Sequence, residues 1–268
     1  MGHEGALTGA IDLHLHLGPD PYIPRFCDIE EAALRAVELG MGGFVFKSHS
    51  YGTAPLAQVV GQRHPTLVVA GGITLDPPNG GLNPQAVEVA ARLGGKVVWM
   101  PTAGRLSVMR QDSPEELVAG MPEILELIRD HSMILATGHL PASELLPLVR
   151  QAVAIGVRKV VVTHAMNRRV GPDLPLEAQL ALAGLGACIE HCATVLAEPQ
   201  AVAEEDLLAA IRSVGEERIV LSSDLGRRDH GDPIAGFAAF LNRLATAGIA
   251  QAALRRMACE TPRRLLEA

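Results

Sequence analysis

Two histidines separated by one residue lie near the start of the chain, in the apolar segment AIDLHLHLGP. Residues i and i+2 of a β-strand point to the same face, so a strand over residues 11–17 would place His14 and His16 side by side, with Asp12 one step below them. Neutral imidazoles that point together are good ligands for a divalent transition metal. The pair therefore indicates part of a metal site, and further ligands must come from elsewhere in the chain.

Other side chains able to bind a metal or carry a proton lie late in further short, β-branched segments. These segments are GFVFKSH, ILATGHL, KVVVTHA, ACIEHCA and IVLSSDL, and the side chains are Lys47, His49, His139, His164, Glu190, His191 and Asp224. If the segments are parallel strands of one barrel, their carboxyl ends meet at one mouth, where barrel enzymes carry their chemistry. Histidines and a carboxylate gathered there suit Zn²⁺ or a similar divalent ion.

The strands that must position these side chains recur along the whole sequence. Eight β-branched segments begin near residues 11, 43, 67, 96, 134, 159, 187 and 218. Their spacing of about 25–40 residues is that of a strand, a loop, a helix and a return turn. The pattern predicts an α/β fold, a single (β/α)₈ TIM barrel over residues 1–268. An open doubly wound sheet is the rival, but it usually has fewer strands, and no glycine-rich phosphate loop follows the first strand.

Helix start and stop signals lie between the strands. The segment 28–40 has Asp28 as a predicted N-cap and Glu31 at the capping-box position. A similar pattern predicts a second helix over 113–130 that begins with Ser113 as the cap, Pro114 at the first helical position and Glu116 reaching back. Glycines are expected to close helices at Gly40, Gly156, Gly186 and Gly215.

The bulk composition argues against several classes of function. Only 3% of the residues are aromatic and the net charge is −7, which disfavours base stacking on single-stranded nucleic acid and a general polyanion-binding surface. The first ten residues lack the features of a secretory signal, and no apolar run approaches the roughly 20 residues of a membrane span. The four cysteines form no CxxC pair. We therefore expect a cytoplasmic protein with reduced thiols, a small-molecule substrate, and no nucleic-acid or membrane partner; association into a homo-oligomer stays open.

The ordered set of HxH on strand one, His on strands five and six, and Asp on strand eight resembles the signature of the amidohydrolase superfamily of metal-dependent hydrolases. The matching residues are His14, His16, His139, His164 and Asp224. The resemblance covers nearly the whole chain, and the ending ETPRRLLEA is similar to the closing helix of that superfamily. It implies one or two bound divalent ions, Zn²⁺ first, with Mn²⁺ or iron as alternatives. It also implies that Asp224 accepts the proton of a metal-activated water and later passes it to the leaving group.

Strand four departs from the superfamily pattern. Binuclear members usually carry a bridging carbamylated Lys, or a Glu, on this strand, but the segment KVVWMPT offers neither at its end. Lys47 on strand two is the candidate replacement, because its spacing from His49 puts both on one face. The alternative is a neutral or paired lysine that hydrogen-bonds the substrate. The sequence therefore leaves the number of metal ions open.

Side chains on the predicted loops around the mouth, and two near the ends of strands two and seven, are candidates for substrate binding. They are Arg25, His49, Tyr51, Arg105, His191, Arg227, Arg228 and His230. Arginines on an otherwise acidic protein suggest a carboxylate or phosphate on the substrate, although each arginine also fits a solvated loop position. Glu190 and His191 point to opposite faces of strand seven, and we expect His191 to face the mouth. Asp12 either orients a ligand or forms hydrogen bonds at the barrel floor; Cys188 and Cys192 are expected to be small core residues.

These features favour a metal-dependent hydrolase that cleaves an amide, lactone or ester bond of a small anionic molecule. Two alternatives stay open from the sequence. Some relatives of the superfamily are decarboxylases, so a lyase with a similar metal site is the second hypothesis. A non-catalytic metal-binding protein is the third, but a purely structural site would not need Asp224.

Overall fold

The computed structural model describes residues 7–103, 106–197 and 201–267. Eight parallel strands form one sheet in sequential order, and each strand pairs with the next along the chain. They are β1 (Ile11–His16), β2 (Gly43–Lys47), β3 (Val68–Thr74), β4 (Val97–Trp99), β5 (Ile134–Ala136), β6 (Val160–Val162), β7 (Cys188–Cys192) and β8 (Ile219–Ser222). The sheet closes after β8, because the His16 N–H donates to the Leu225 carbonyl at 2.9 Å and the Asp224 N–H donates to the His14 carbonyl at 2.8 Å.

At least one helix follows every strand. The helices are α1 (Ile29–Glu38), α2 (Ala54–Arg63), α3 (Pro84–Arg92), α4 (Met121–Asp130), α5 (Ala142–Ile155), α6 (Leu176–Gly184), α7 (Glu204–Val214), α8 (Pro233–Thr246), α9 (Gln251–Arg255) and α10 (Thr261–Leu266). This alternation confirms the predicted (β/α)₈ barrel. Within the described ranges, no helix has the length and apolar character needed to cross a membrane.

Two apolar cores flank the sheet, as expected when a parallel sheet is buried on both faces. One core lies inside the barrel and joins residues from all eight strands with Leu265 and Leu266 of α10, which contacts β1 and β8. The other packs the outer face of the strands against the helices. On β7, Cys188 belongs to the inner core and Ile189 to the outer one, so Glu190 and Cys192 also point inward and His191 points outward.

The predicted capping box of α1 is present. The Asp28 carboxylate accepts a hydrogen bond from the Glu31 N–H, and Glu31 Oε2 accepts one from the Asp28 N–H, both at 2.9 Å. Gly40, at φ +69°, follows the end of the helix. The other glycines expected to close helices are also found there: Gly156 directly follows α5, Gly215 directly follows α7, and Gly186 lies two residues after the end of α6.

The helix predicted over 113–130 is wrong in its first half. Residues before Met121 instead fold back as an irregular hairpin, in which Met109 bridges Leu117 and the Val118 N–H donates to the Val108 carbonyl at 3.0 Å. Val108 and Met109 are buried, so packing against the core outweighs the local cap signal. Gly120, at φ +86°, then ends this segment with a left-handed turn that an α-helix cannot pass through.

Candidate metal centre at the mouth of the barrel

The end of β1 and the turn after β8 bring three ligand groups together. His14 and His16 are 0% and 6% exposed. Asp224 Oδ1 lies 3.2 Å from His14 Nε2 and 3.3 Å from His16 Nε2, while its other carboxylate oxygen accepts a hydrogen bond from the Thr194 hydroxyl at 3.0 Å. Burial alone would raise the pKa of Asp224, but the neighbouring His14 and a hydrogen bond with His16 hold it well below its usual value. The carboxylate is therefore ionised at neutral pH.

Two mouth residues have backbone conformations that are rare for side-chain-bearing residues. Asp224 has φ +54° and His164 has φ +28°. Non-glycine residues pay a steric cost there, and such strain is concentrated at sites where a side chain must be placed for function. The turns after β6 and β8 thus bend sharply in order to direct His164 and Asp224 into the mouth.

Glu190 is the residue of β7 that reaches the cluster. Its Oε2 accepts hydrogen bonds from His14 Nδ1 at 3.1 Å and from the His164 backbone N–H at 3.0 Å. Burial alone would raise the pKa of Glu190, but His14 and His164 lower it to about 2. Because an ionised carboxylate only accepts hydrogen bonds, the contact places a proton on His14 Nδ1, while Nε2 faces Asp224 and His16.

His139 and His164 complete the ring of imidazoles. Their ring centroids are 4.9 Å apart, and the His164 ring stacks on that of His14 at 5.7 Å. Burial lowers the pKa of His139 to about 2 and that of His164 to about 4, and it lowers the pKa of His16 well below its usual value. These histidines are therefore neutral at pH 7, which is the form that binds metal ions.

Lys47 lies inside the same cluster. Its side chain is buried, with Nζ 3.0 Å from His14 Nε2 and 5.8 Å from the centre of the Trp99 ring. Burial lowers the pKa of the lysine, while the carboxylates of Asp224 and Glu190 act in the opposite direction. A lysine whose ammonium form is destabilised in this way is suited both to carbamylation and to hydrogen bonding as an amine.

Asp12 lies beneath the histidines and binds the backbone rather than a ring. Its Oδ1 accepts hydrogen bonds from the N–H groups of His14 and Ser223, both at 3.0 Å, so that it ties β1 to the turn after β8. Burial raises the pKa of Asp12 to about 6. Of the two roles considered from the sequence, the contacts correspond to the buried hydrogen-bonding residue.

A buried carboxylate also fixes His49, which follows β2. Asp76 accepts hydrogen bonds at 2.6 Å from the Thr102 N–H, the Ala103 N–H and the Thr102 hydroxyl. His49 Nδ1 lies 2.7 Å from Thr102 Oγ1 and 3.3 Å from Asp76 Oδ2. Since the Thr102 hydroxyl already donates to Asp76, its oxygen accepts the proton on His49 Nδ1, and Nε2 carries a lone pair.

An open cavity of about 220 Å³ lies above these residues. Among the predicted ligands, His16, His139 and Asp224 line it, and so do the loop residues His49, Arg25, Arg227 and His230. The loop after β6 contributes further side chains that the sequence analysis did not single out, from Asn167 to Val170. Tyr51 and Arg228 are absent from the described lining; the Tyr51 hydroxyl donates to the Pro19 carbonyl instead. Arg105 lies outside the residues that the structure describes.

The sequence matches the profile of a family of unknown function, DUF6282, over residues 9–190. This chain belongs to DUF6282. No curated protein matches it. The matched region contains every predicted ligand except Asp224, which lies beyond it on the turn after β8.

Solved structures of low sequence identity share the fold of this DUF6282 chain. One is a probable dipeptidase, PvdM, from Pseudomonas aeruginosa (TM-score 0.70, 11% identity, 98% of this chain and 95% of that chain). Another is an amidohydrolase from Burkholderia multivorans (0.66, 15%, 96% and 98%), and a third is an organophosphorus hydrolase from Deinococcus radiodurans (0.63, 12%, 100% and 94%). The resemblance to amidohydrolases is thereby confirmed for the fold.

The expected orientation of β7 is reversed in the DUF6282 chain. His191 was predicted to face the mouth, but Glu190 points inward and contacts His14, whereas His191 lies in the outer face of the sheet and is 1% exposed. The reason is the alternation of the strand, because Cys188 packs inside the barrel and fixes every second residue there. Burial lowers the pKa of His191 to about 4, which keeps its ring neutral in the wall.

The side chains at the mouth fit a divalent ion. His14, His16 and Asp224 each offer a ligand atom, and these atoms lie within 4.8 Å of one another. Among the described residues, both ring nitrogens of His164 and Nδ1 of His16 are buried without a hydrogen-bond partner. Buried nitrogens of this kind are unfavourable unless another group satisfies them, and neutral imidazoles with a carboxylate form a typical zinc ligand set.

Proposed function

We propose that this protein is a metal-dependent hydrolase that cleaves an amide, lactone or ester bond of a small anionic molecule through a metal-activated water. The observation that carries the proposal is the convergence of His14 Nε2, His16 Nε2 and Asp224 Oδ1 at the open end of the barrel, next to a cavity of about 220 Å³. A catalytic site needs ligands together with access for a substrate, and this mouth offers both.

His14, His16 and Asp224 would hold the ion, with His139 and His164 as further ligands. Zn²⁺ is the metal we expect, with Mn²⁺ or iron as alternatives, and a carbamylated Lys47 would add a ligand for a second ion. When bound, such an ion supplies Lewis-acid chemistry, which polarises the scissile bond and lowers the pKa of water toward about 7.

The protein's own groups prepare this chemistry. Glu190 orients His14 through Nδ1, and the Thr194 hydroxyl fixes one carboxylate oxygen of Asp224 so that the other faces the two histidines. Asp224 is ionised, partly exposed at 14%, and lines the cavity, so it is placed to accept the proton of an attacking water and return it to the leaving group.

The likeness to other proteins supports the same class of reaction. The similar structures include a probable dipeptidase, an amidohydrolase and an organophosphorus hydrolase, all of which are named for hydrolysis. Among the residues that the structure describes, no contact in the mouth specifically favours the decarboxylase considered from the sequence. We therefore extend hydrolysis, rather than decarboxylation, to this chain.

Elemental analysis tests the metal, and product analysis tests the reaction. We expect at least one divalent transition metal per chain after expression in supplemented medium, and loss of that metal in the double variant His14→Ala/His16→Ala. The exposed His131→Ala serves as the matched control and should retain it. A screen of cyclic amides, lactones and carboxylic acids should yield ring-opened acids or free amines. Release of CO₂ without hydrolysis, or a folded protein that binds neither Zn²⁺ nor Mn²⁺, would contradict the proposal.

A further inference from the structure

The loop that follows β6 forms one wall of the mouth cavity. Asn167 lies within this loop and is 6% exposed. Its Oδ1 accepts hydrogen bonds from the backbone N–H of Arg169 at 2.9 Å and of Val170 at 3.1 Å, which closes the loop into a tight turn. Gly171 then passes so close to His164 that an added Cβ would lie 2.7 Å from its Nδ1. The loop is therefore held in place against a predicted metal ligand.

Two residues of this turn line the cavity and carry side-chain hydrogen-bond donors. Because Oδ1 of Asn167 is occupied by the backbone, its amide NH₂ is the free end of a mostly buried side chain that lines the cavity. Arg169 is exposed and also lines the cavity, and its guanidinium forms no ion pair with a carboxylate among the described residues. The sequence analysis did not select either residue.

The other arginines of the cavity differ from Arg169 in this respect. Arg25 pairs with Asp20 at 2.6 Å, Arg227 pairs with Asp229 at 2.9 Å, and Arg168 lies 3.6 Å from Asp173. Each of these guanidinium groups already has an acidic neighbour, so binding a further anion would require competition with that carboxylate. Among the arginines of the described lining, Arg169 is the one without a carboxylate partner that would compete with a bound anion.

We propose that Asn167 and Arg169 form an oxyanion-binding subsite that takes the carboxylate or phosphate group of the substrate. A planar guanidinium pairs with two oxygens of either group, and a neighbouring amide adds a third hydrogen bond. The subsite shares its cavity with Asp224 and His16, so an anion held there keeps the rest of a small molecule beside the predicted metal ligands. This assignment rests on the proposed function for its biological meaning, but anion binding itself can be measured without a substrate.

Isothermal titration with inorganic phosphate and, separately, with acetate tests the subsite at constant ionic strength. Arg169→Gln removes the charge, and we expect it to weaken binding about 10-fold or more, as is typical when a charged hydrogen bond is lost. Asn167→Asp keeps the oxygen that closes the turn but replaces the amide donor with a negative charge, so it should also weaken binding. Arg150→Gln is the matched control, because Arg150 is exposed on α5 and lies outside the cavity lining, and it should bind as the wild type does.

The two anions distinguish the source of the oxyanion, since tighter binding of phosphate or of acetate identifies the preferred group. The proposal is overturned if neither anion binds saturably, or if Arg169→Gln binds both as tightly as the wild type and Arg150→Gln do. Metal content measured on the same samples separates this outcome from a failure of the proposed function. If the protein lacks metal but binds phosphate through Arg169, the subsite proposal stands and the proposed hydrolase function is contradicted.

Discussion

The two neighbouring residues Glu190 and His191 should give opposite phenotypes when they are replaced, because β7 points them to opposite faces. Glu190 touches the predicted ligand His14 at 3.1 Å, whereas His191 lies in the outer wall, away from the cavity. We expect Glu190→Gln to impair metal binding with little change in acid stability near neutral pH. We expect His191→Leu to change acid stability and to leave metal binding intact.

The size of the change in acid stability expected for His191→Leu follows from the pKa of His191, which burial lowers from 6.5 to about 4. Between these two values the unfolded chain binds a proton that the folded chain does not, so the free energy of unfolding falls as the pH drops from 6.5 toward 4. At about 1.4 kcal/mol for each pH unit, His191 accounts for about 3 kcal/mol of this loss. Above pH 6.5 its contribution to the pH dependence is absent.

Urea unfolding at a series of pH values from 7 to 4 measures this contribution. The wild type should lose about 3 kcal/mol more stability over the range than His191→Leu does. The exposed His131→Leu is the matched control and should follow the wild type. Identical pH dependence in the wild type and His191→Leu would contradict the assignment of His191 as a buried neutral ring.

Metal affinity tests the prediction for Glu190. Replacing a group that orients a ligand typically weakens metal binding by about 10- to 100-fold, so Glu190→Gln should show a loss of this order in a competition titration with a chelator. His191→Leu should bind metal as the wild type does. Loss of metal in His191→Leu with full retention in Glu190→Gln would refute the reasoning.

Three further replacements test individual roles at the mouth. Lys47→Ala should lower the metal content, with partial recovery in the presence of a short carboxylic acid that replaces a carbamate; unchanged stoichiometry would exclude a ligand role. Asp224→Asn should lower kcat by about 10²- to 10⁴-fold while much of the metal remains, and a near wild-type kcat at full metal occupancy would exclude proton transfer by this residue. Asp76→Asn should move the proton of His49 away from Nδ1, an effect visible in the ¹⁵N shifts of the labelled ring; an unchanged spectrum would argue against the contact through Thr102.

The fold could be predicted from the sequence because its signals are local and repeat eight times. Each strand begins within a residue of the predicted position, and the capping box of α1 is present. The predicted helix start at Ser113 was wrong, because the same local signal occurs in a segment where burial of Val108 and Met109 favours a hairpin. A cap pattern is worth about 1 kcal/mol, and tertiary packing readily exceeds it.

The candidate site was predictable only where its residues end strands. His14 and His16 were found by their spacing, and the barrel topology explains why residues from distant strands meet them. Asp76 and Asn167 act from loops, where no periodicity indicates which way a side chain points. The Asp76 contact depends on the course of two separate loops, which the one-dimensional sequence does not contain. Similarly, Glu190 and His191 are both plausible mouth residues until the packing of Cys188 fixes the phase of the strand.

The charges at the mouth are themselves complementary to a divalent cation. Glu190 and Asp224 are buried or nearly so, and the pKa of each is lowered, as is that of Asp76, so that all three are ionised at neutral pH. Beside them in the described cluster lies the buried Lys47, whose pKa is lowered by burial. The pKa values of three histidines are lowered as well, namely those of His16, His139 and His164. A buried set of carboxylates with at most one compensating ammonium group is costly unless more positive charge is supplied. The arrangement therefore favours binding of a doubly charged ion over protonation of the rings, and this is the electrostatic condition that a metal-dependent hydrolase requires.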